Sequence, residues 1–439
     1  MYKFWLCVIG CFCVVATPVM AMDLSLASAV DNIIAQSQDI KKADANVKSA
    51  QAQLDAVNAN RWFNVSANAS YMNLIDVERP FDSNGVKLPS EMGIVADIFG
   101  QDISKLEIPD NIFMAGVKIT QPIYTFGKIG HAVDSVRTAI AMQETNREIT
   151  RREVAYSAAD LYWTAKMTDE IVKLTERDLQ SARQAKNNIA AVGRANRSNL
   201  VKIESDIAAK EINLADAKFN RDTAHRMLKI LAGIDVDTEL NLTDQFPTEF
   251  AEMNQKQLTT TPKLEILNRQ VNMYESQAKS KRADSYPTLA AMGSYSYTAM
   301  NSELKGMFNR DNSQSAYWGL ALEVPIFTGG LNRANATVSA MSAESARQDL
   351  DKAKLLTNEE YARAIDQYNH LRGNLKTLQN ARDLAAKAYK FSEERFAAGQ
   401  TSAVELSEVS AGLMQLDMAL LNSKYNILMS AESVKKLGE

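Results

Sequence analysis

Four segments alternate apolar and polar residues with the period of a β-strand. In 64–73, Val65, Ala67, Ala69 and Tyr71 interleave with Asn64, Ser66, Asn68 and Ser70. In 112–121, Phe113, Ala115, Val117 and Ile119 interleave with Met114, Gly116, Lys118 and Thr120. In 288–298, Leu289, Ala291, Gly293, Tyr295 and Tyr297 stand against Thr288, Ala290, Met292, Ser294, Ser296 and Thr298. In 315–324, Ala316, Trp318, Leu320, Leu322 and Val324 stand against Ser315, Tyr317, Gly319, Ala321 and Glu323. One apolar face and one face of mostly small or polar side chains suit strands that touch lipid on one side. The same pattern suits a sheet lying on a soluble core, so alternation alone leaves both open.

Elsewhere the period is helical. Ile129, Val133, Val136 and Ile140 recur at helical spacing, and Leu161, Ala165, Val172 and Leu179 continue the stripe. No Gly or Pro interrupts the chain between Gly130 and Gly193. Leu406, Val409, Leu413, Leu416, Leu420, Ile427 and Val434 hold the spacing of a coiled-coil seam. At helical rise, 128–192 and 331–397 are rods of about 97 Å each, and helices 24–60 and 198–233 about 55 Å. Two short helices end to end match one long one, which predicts a helical cylinder whose wall alternates continuous and broken helices.

Three sequence blocks recur in the same order. Gln38–Tyr71 aligns with Pro262–Tyr295, placing Val47 on Val271, Gln53 on Gln277 and Trp62 on Tyr286. Gln121-Pro122-Ile123-Tyr124-Thr125-Phe126-Gly127 aligns with Val324-Pro325-Ile326-Phe327-Thr328-Gly329-Gly330. Ala191-Val192-Gly193, followed by Leu200, Ile203 and Ile207, aligns with Ala397-Ala398-Gly399, followed by Leu406, Val409 and Leu413. The expected organisation is a tandem duplication, with a longer insertion between Tyr71 and Pro122 of the first copy. The first repeat, 22–247, holds helix 24–60, strands 64–73 and 112–121, long helix 128–192, tip 193–197 and helix 198–233. A linker over 234–260 leads into the second repeat, 248–439. That repeat holds helix 262–285, strands 288–298 and 315–324, long helix 331–397, tip 398–402 and helix 403–436.

The N-terminus has the form of a secretory signal over 1–21. Lys3 charges a short n-region, Phe4–Val15 is apolar, and Thr17–Ala21 offers a small-residue exit. Val8-Ile9-Gly10-Cys11 also has the form of a lipoprotein cleavage box, though little apolar run precedes Cys11. Both readings imply export. Cys7, Cys11 and Cys13 are the only cysteines in 439 residues, so cleavage after Ala21 removes thiol and disulfide chemistry altogether.

Composition narrows the function further. With 46% apolar and 23% charged residues, the chain can bury a large core. A balance of 49 basic against 53 acidic side chains leaves no electrostatic footprint for nucleic acid. His131, His225 and His370 lack metal-site spacing and are expected at helix surfaces, and Gly127-Lys128-Ile129-Gly130 lacks the rest of a phosphate loop. No nucleophile–base pair emerges, so neither an enzyme nor a cofactor is expected. Beyond the N-terminus no apolar run is long enough for a membrane-spanning helix, which leaves a barrel as the membrane option. Four strands cannot close a useful bore, and open edges are not tolerated in lipid. Two chains would supply eight strands and three would supply twelve, and eight enclose little beyond packed side chains.

The duplicated unit, the Pro-Ile-Tyr-Thr-Phe-Gly-Lys and Pro-Ile-Phe-Thr-Gly-Gly blocks, and the Gly-centred tips before a heptad helix resemble the TolC-like outer-membrane efflux proteins. The resemblance implies a mixed, mainly α fold: a homotrimer with a 12-stranded outer-membrane β-barrel, four strands per chain, continued by a long α-helical coiled-coil periplasmic tunnel. It implies a passive exit duct in the outer membrane of a Gram-negative cell, serving a tripartite efflux pump or a type I secretion system. The implied partners are outer-membrane lipid, a periplasmic adaptor and an inner-membrane transporter. By the same resemblance the acidic ring positions of the periplasmic mouth fall on Glu405 and Glu408, the aromatic link on Phe396, and the tip arginine on Thr401, a departure. The corresponding first-copy positions are Ser198 and Asn199, an amide where the family has an acid, with Arg194 and Arg197 adding positive charge nearby. Adaptor docking is implied at Val192, Gly193, Arg194 and Ala195 and at Gly399, Gln400 and Thr401.

Ordinary roles compete with each assignment. Acids near a helix start meet the helix dipole favourably, which accounts for Glu405 and Glu408 without a pore. Gly193 and Gly399 serve equally as helix C-caps. Tyr71, Tyr295, Tyr297 and Trp318 suit an interfacial belt or a buried sheet face. A periplasmic coiled-coil adaptor or scaffold is the competing function. It shares the long helices but needs a single hairpin plus compact β domains.

Overall fold

The computed structural model describes residues 22–73, 111–192, 197–255, 258, 260–301 and 313–438. The expected signal peptide, most of the insertion after Tyr71, and tip residues Gly193, Arg194 and Ala195 lie outside the described residues. In chain order the elements are β1 (Met22–Leu24), α1 (Leu26–Gln36), α2 (Gln38–Ala59), β2 (Asn64–Asn73) and β3 (Asn111–Tyr124). Then come α3 (Lys128–Val192), α4 (Arg197–Ala232), β4 (Leu240–Leu242) and α5 (Pro262–Ala283). The last are β5 (Thr288–Asn301), β6 (Ser313–Glu323), α6 (Leu331–Ala397) and α7 (Ala403–Gly438). The chain forms two compact units, one from 1–48, 142–268 and 348–439, the other from 49–141 and 269–347.

The second of these units holds an antiparallel sheet in the order β2-β3-β5-β6. Its register aligns the alternation of all four strands. Val65 lies opposite Ile119, Ile119 opposite Gly293, and Gly293 opposite Trp318. Ser66 lies opposite Lys118, Lys118 opposite Ser294, and Ser294 opposite Tyr317. One face is therefore apolar and aromatic, and the other is mostly Ser, Asn, Thr, Gly and Met. β2 and β6 are the two edges, each lacking a strand partner on its outer side among the described residues.

β2 keeps its expected limits, while β3 and β5 overrun theirs and β6 begins two residues early and ends one short. β3 begins at Asn111 and continues past Pro122, where the register shifts before Tyr124. Proline cannot donate a ladder hydrogen bond, and a bulge is the way a strand accommodates it. At the strand-to-helix turns the two copies solve one problem differently. Gly329 and Gly330 take φ of 61° and 82° before α6, whereas Phe126 and Gly127 take 48° and 82° before α3. A phenylalanine in this left-handed region is strained. Phe126 stacks on Tyr286 at 5.8 Å and meets Tyr124 edge-on at 4.6 Å, contacts that offset the strain.

In the first unit, helix 24–60 is not continuous. Residues 22–24 form β1, and the helix breaks at Ser37, which leaves the helical conformation (ψ 124°). Its hydroxyl accepts from the Ile40 amide at 3.4 Å, starting α2 afresh, as serine favours at an N-cap. The expected linker 234–260 contains β4, which pairs in parallel with β1 through Met22–Leu240, Asp23–Asn241 and Leu24–Leu242. Leu24, Leu240 and Leu242 thereby join Ile33, Tyr162, Trp163, Leu228 and Met429 in the largest core of this unit. At its centre the Tyr162 hydroxyl donates to Asp244 Oδ2 (2.8 Å) and accepts from the Asp244 amide (3.1 Å). The same carboxylate oxygen accepts from the Leu26 amide at 2.7 Å, fixing the start of α1. Burial pushes the Tyr162 phenol up to about 12.

Candidate functional site

The four long helices of the first unit meet near the tips in a mixed polar and apolar cluster. α3 and α4 are antiparallel, cross-linked by Arg183–Glu211 (2.6 Å), Lys186–Glu204 (2.8 Å) and Lys218–Glu176 (3.0 Å). α6 and α7 are antiparallel as well, joined by Arg382–Asp417 (2.7 Å) and Arg395–Glu405 (3.5 Å). α4 and α7 run in parallel: Asn199 reaches Ala403, Asp206 reaches Ser407, and Lys210 reaches Ser410.

The second tip is a well-formed helix stop. Gly399 (φ 73°) donates to the Phe396 carbonyl at 2.9 Å, and the Gln400 amide to Arg395 at 2.8 Å. This is the Schellman arrangement, for which glycine alone is unstrained. Ser402 then caps α7 through the Glu405 amide (3.2 Å). Phe396 is 1% exposed, packed with Ala185, Ile203, Ala403 and Leu406. It therefore locks the two hairpins of one chain together.

Glu405 is held by Arg395 and by a short hydrogen bond from the Thr401 hydroxyl, so Thr401 touches one of the two acids that the resemblance assigns to the mouth. Glu408 is exposed, one turn along the same helix. Gln400 carries its carbonyl towards the Arg395 guanidinium at 3.5 Å. Asn199, where the resemblance implies an acid, instead accepts from the Ala403 backbone amide (3.4 Å), so an amide oxygen caps the helix of the other hairpin. Ser198 is exposed at the start of α4, and Val192 is the last residue of α3.

Behind the tips lies a group of residues that spacing did not single out. Lys210, with a side chain 9% exposed, pairs with Asp178 at 2.5 Å and lies 3.9 Å from Asp206. Ser410 donates to the second oxygen of Asp178 (2.9 Å), and Ser407 to Asp206 (3.2 Å). Burial raises the pKa of Tyr389 beside them, and Glu393, Asp178 and Asp206 reinforce the effect. One ammonium thus meets two carboxylates and ties α3, α4 and α7 together. The i, i+4 spacing of Asp206 and Lys210 was the available signal, but it reads equally as a solvated surface pair. His225 also departs from its expected surface role, since its ring lies 2.9 Å from Asp169 with the side chain 13% exposed.

The arrangement can hold helix ends together and present acids at a tip. The sheet can present one face to lipid and one to water. Known proteins share this construction. The profile described as "Outer membrane efflux protein" matches residues 29–233 and 255–437. The alkaline protease secretion protein AprF of Pseudomonas aeruginosa is 20% identical over 72% of this chain and 67% of its own length. The outer membrane efflux protein BepC of Brucella suis is 20% identical over 72% of this chain and 70% of its own. The Campylobacter jejuni CmeC outer membrane channel superposes with a TM-score of 0.76 at 17% identity, covering 94% of this chain and 85% of that one. Its likeness extends to the fold of nearly the whole chain. With the profile matching well over half of its length, the chain belongs to the outer membrane efflux protein family.

Proposed function

We propose that three copies of this outer-membrane protein close their sheets into a single 12-stranded barrel, continued by a periplasmic tunnel of paired helices. The observation that carries the reading is the register of the sheet, which gathers the apolar side chains on one face and leaves β2 and β6 as edges. In lipid those edges must pair, and the chain supplies no further described strand to pair them. Edge-to-edge closure between copies satisfies every strand at once and turns the polar face inward. A tandem duplication accounts for the order, since helix, two strands, long helix and returning helix occur twice.

The duct conducts without chemistry or a bound cofactor. Repeated by symmetry, Glu405 and Glu408 gather carboxylates at the periplasmic mouth, and Phe396, Thr401, Ser198 and Asn199 set the spacing of the helix ends around them. Residues Val192, Gly193, Arg194 and Ala195 of the first tip and Gly399, Gln400 and Thr401 of the second dock a periplasmic adaptor, which couples the duct to an inner-membrane transporter of an efflux pump or a type I secretion system.

Planar-bilayer recording tests this reading. The protein extracted from outer membranes is expected to give discrete cation-preferring conductance steps blocked by divalent cations. The Glu405→Gln/Glu408→Gln variant is expected to weaken that block. Unchanged block and preference would remove both acids from the constriction.

A further inference from the structure

Among the described residues of the sheet, only Lys118 and Glu323 are charged. Glu323 ends β6 opposite Thr288, at the margin of the sheet. Lys118 sits well inside, opposite Ser66 on one side and Ser294 on the other, with Tyr317 beyond Ser294. Its neighbours along the same face of β3 are Gly116 and Thr120, while Val117 and Ile119 point to the apolar face. The residue is exposed, and its ammonium makes no hydrogen bond or ion pair with any described residue. A free ammonium is retained within a membrane sheet where it meets water, because on the lipid face it is strongly destabilising.

We propose that Lys118, contributed once by each of three chains, forms a cationic collar in the barrel lumen that favours the passage of small anions. The inference rests on the trimeric-barrel reading above. It gives the duct two charge filters of opposite sign, acidic at the helical tips and basic in the barrel. Fixed charges at that range act through water and salt, so each moves permeability by a modest factor.

Reconstituted protein in planar bilayers under a KCl gradient provides the test, reading the anion-to-cation permeability ratio. Lys118→Gln is expected to lower that ratio roughly threefold, Lys118→Glu to lower it further, and Lys118→Arg to leave it unchanged. Lys118→Cys adds a second readout: an anionic methanethiosulfonate reagent should lower the ratio further and a cationic one should restore it, with the unsubstituted protein as control. A ratio unaltered in Gln and Glu variants that still conduct would overturn the collar while leaving the channel intact. An unsubstituted protein that forms no conducting pore would instead overturn the barrel reading, and the collar with it.

Discussion

The two helical hairpins of the first unit carry a cross-helix ion pair at nearly the same distance from their tips, with the charges exchanged. In the first, the acid Asp178 is on the long helix and the base Lys210 on the returning one. In the second, the base Arg382 is on the long helix and the acid Asp417 on the returning one. Their surroundings differ more than their chemistry. Lys210 and Asp178 are 9% and 15% exposed, and Ser410 from the other hairpin completes the carboxylate. Arg382 is 33% exposed and has Asp383 beside it. Hydrogen bonding to Asp417 holds the Arg382 pKa above its ordinary value despite partial burial. The first pair is a junction between hairpins, while the second is a rung within one.

The largest expected effect separates the two. Asp178→Ala leaves the Lys210 ammonium buried with Asp206 at 3.9 Å as its nearest carboxylate and the Ser410 hydroxyl at 3.5 Å, and should cost about 3–5 kcal/mol. Asp417→Ala leaves a half-solvated guanidinium and should cost about 1–2 kcal/mol. Urea unfolding of detergent-solubilised protein, followed by helical circular dichroism, measures both, and equal losses would contradict the distinction by burial. Exchanging the partners sharpens it. Arg382→Asp with Asp417→Arg should restore most of what either single change loses. Asp178→Lys with Lys210→Asp should restore less, because the new acid stands one helical turn from Asp206.

A smaller effect contrasts a buried phenol with a partly buried one. Tyr162 serves the β1–β4 core, and Tyr425 bonds Asp160 across from α7 to α3. Burial pushes both pKa values up to about 12. A folded-state pKa above the unfolded value of 10.0 favours the protonated phenol in the fold, so that stability is complete below pH 10 and drains away as pH rises towards 12. Tyr162→Phe should cost about 1–3 kcal/mol at neutral pH, since the Asp244 amide loses its acceptor. The double Phe variant should also flatten the alkaline limb of the stability profile, and an unaltered limb would assign it to other groups. The smallest effect lies at the tips: Asn199→Ala should speed hydrogen exchange at the Ala403 amide while changing global stability by less than about 1 kcal/mol.

The sheet was the most legible region, because period-two alternation survives directly as two faces. The pairings across chain segments were less so. β1 and β4 are three residues each and far apart in sequence, too short for periodicity to register. The break at Ser37 was hidden because apolar spacing continues through it, and the stop depends on one hydroxyl. Phe126 concealed a left-handed turn that the second copy marks openly with Gly329. At the tips, the family resemblance implied acids and links, but capping by Asn199 and burial of Phe396 depend on how two hairpins pack. No single-helix pattern records that.

The central claim is closure of the four-stranded sheet by identical copies, and native mass spectrometry of the detergent-extracted protein tests it most directly. A complex of three chains that persists at dilution is the predicted result. A monomer or a dimer, with β2 and β6 left to find other partners, would contradict it.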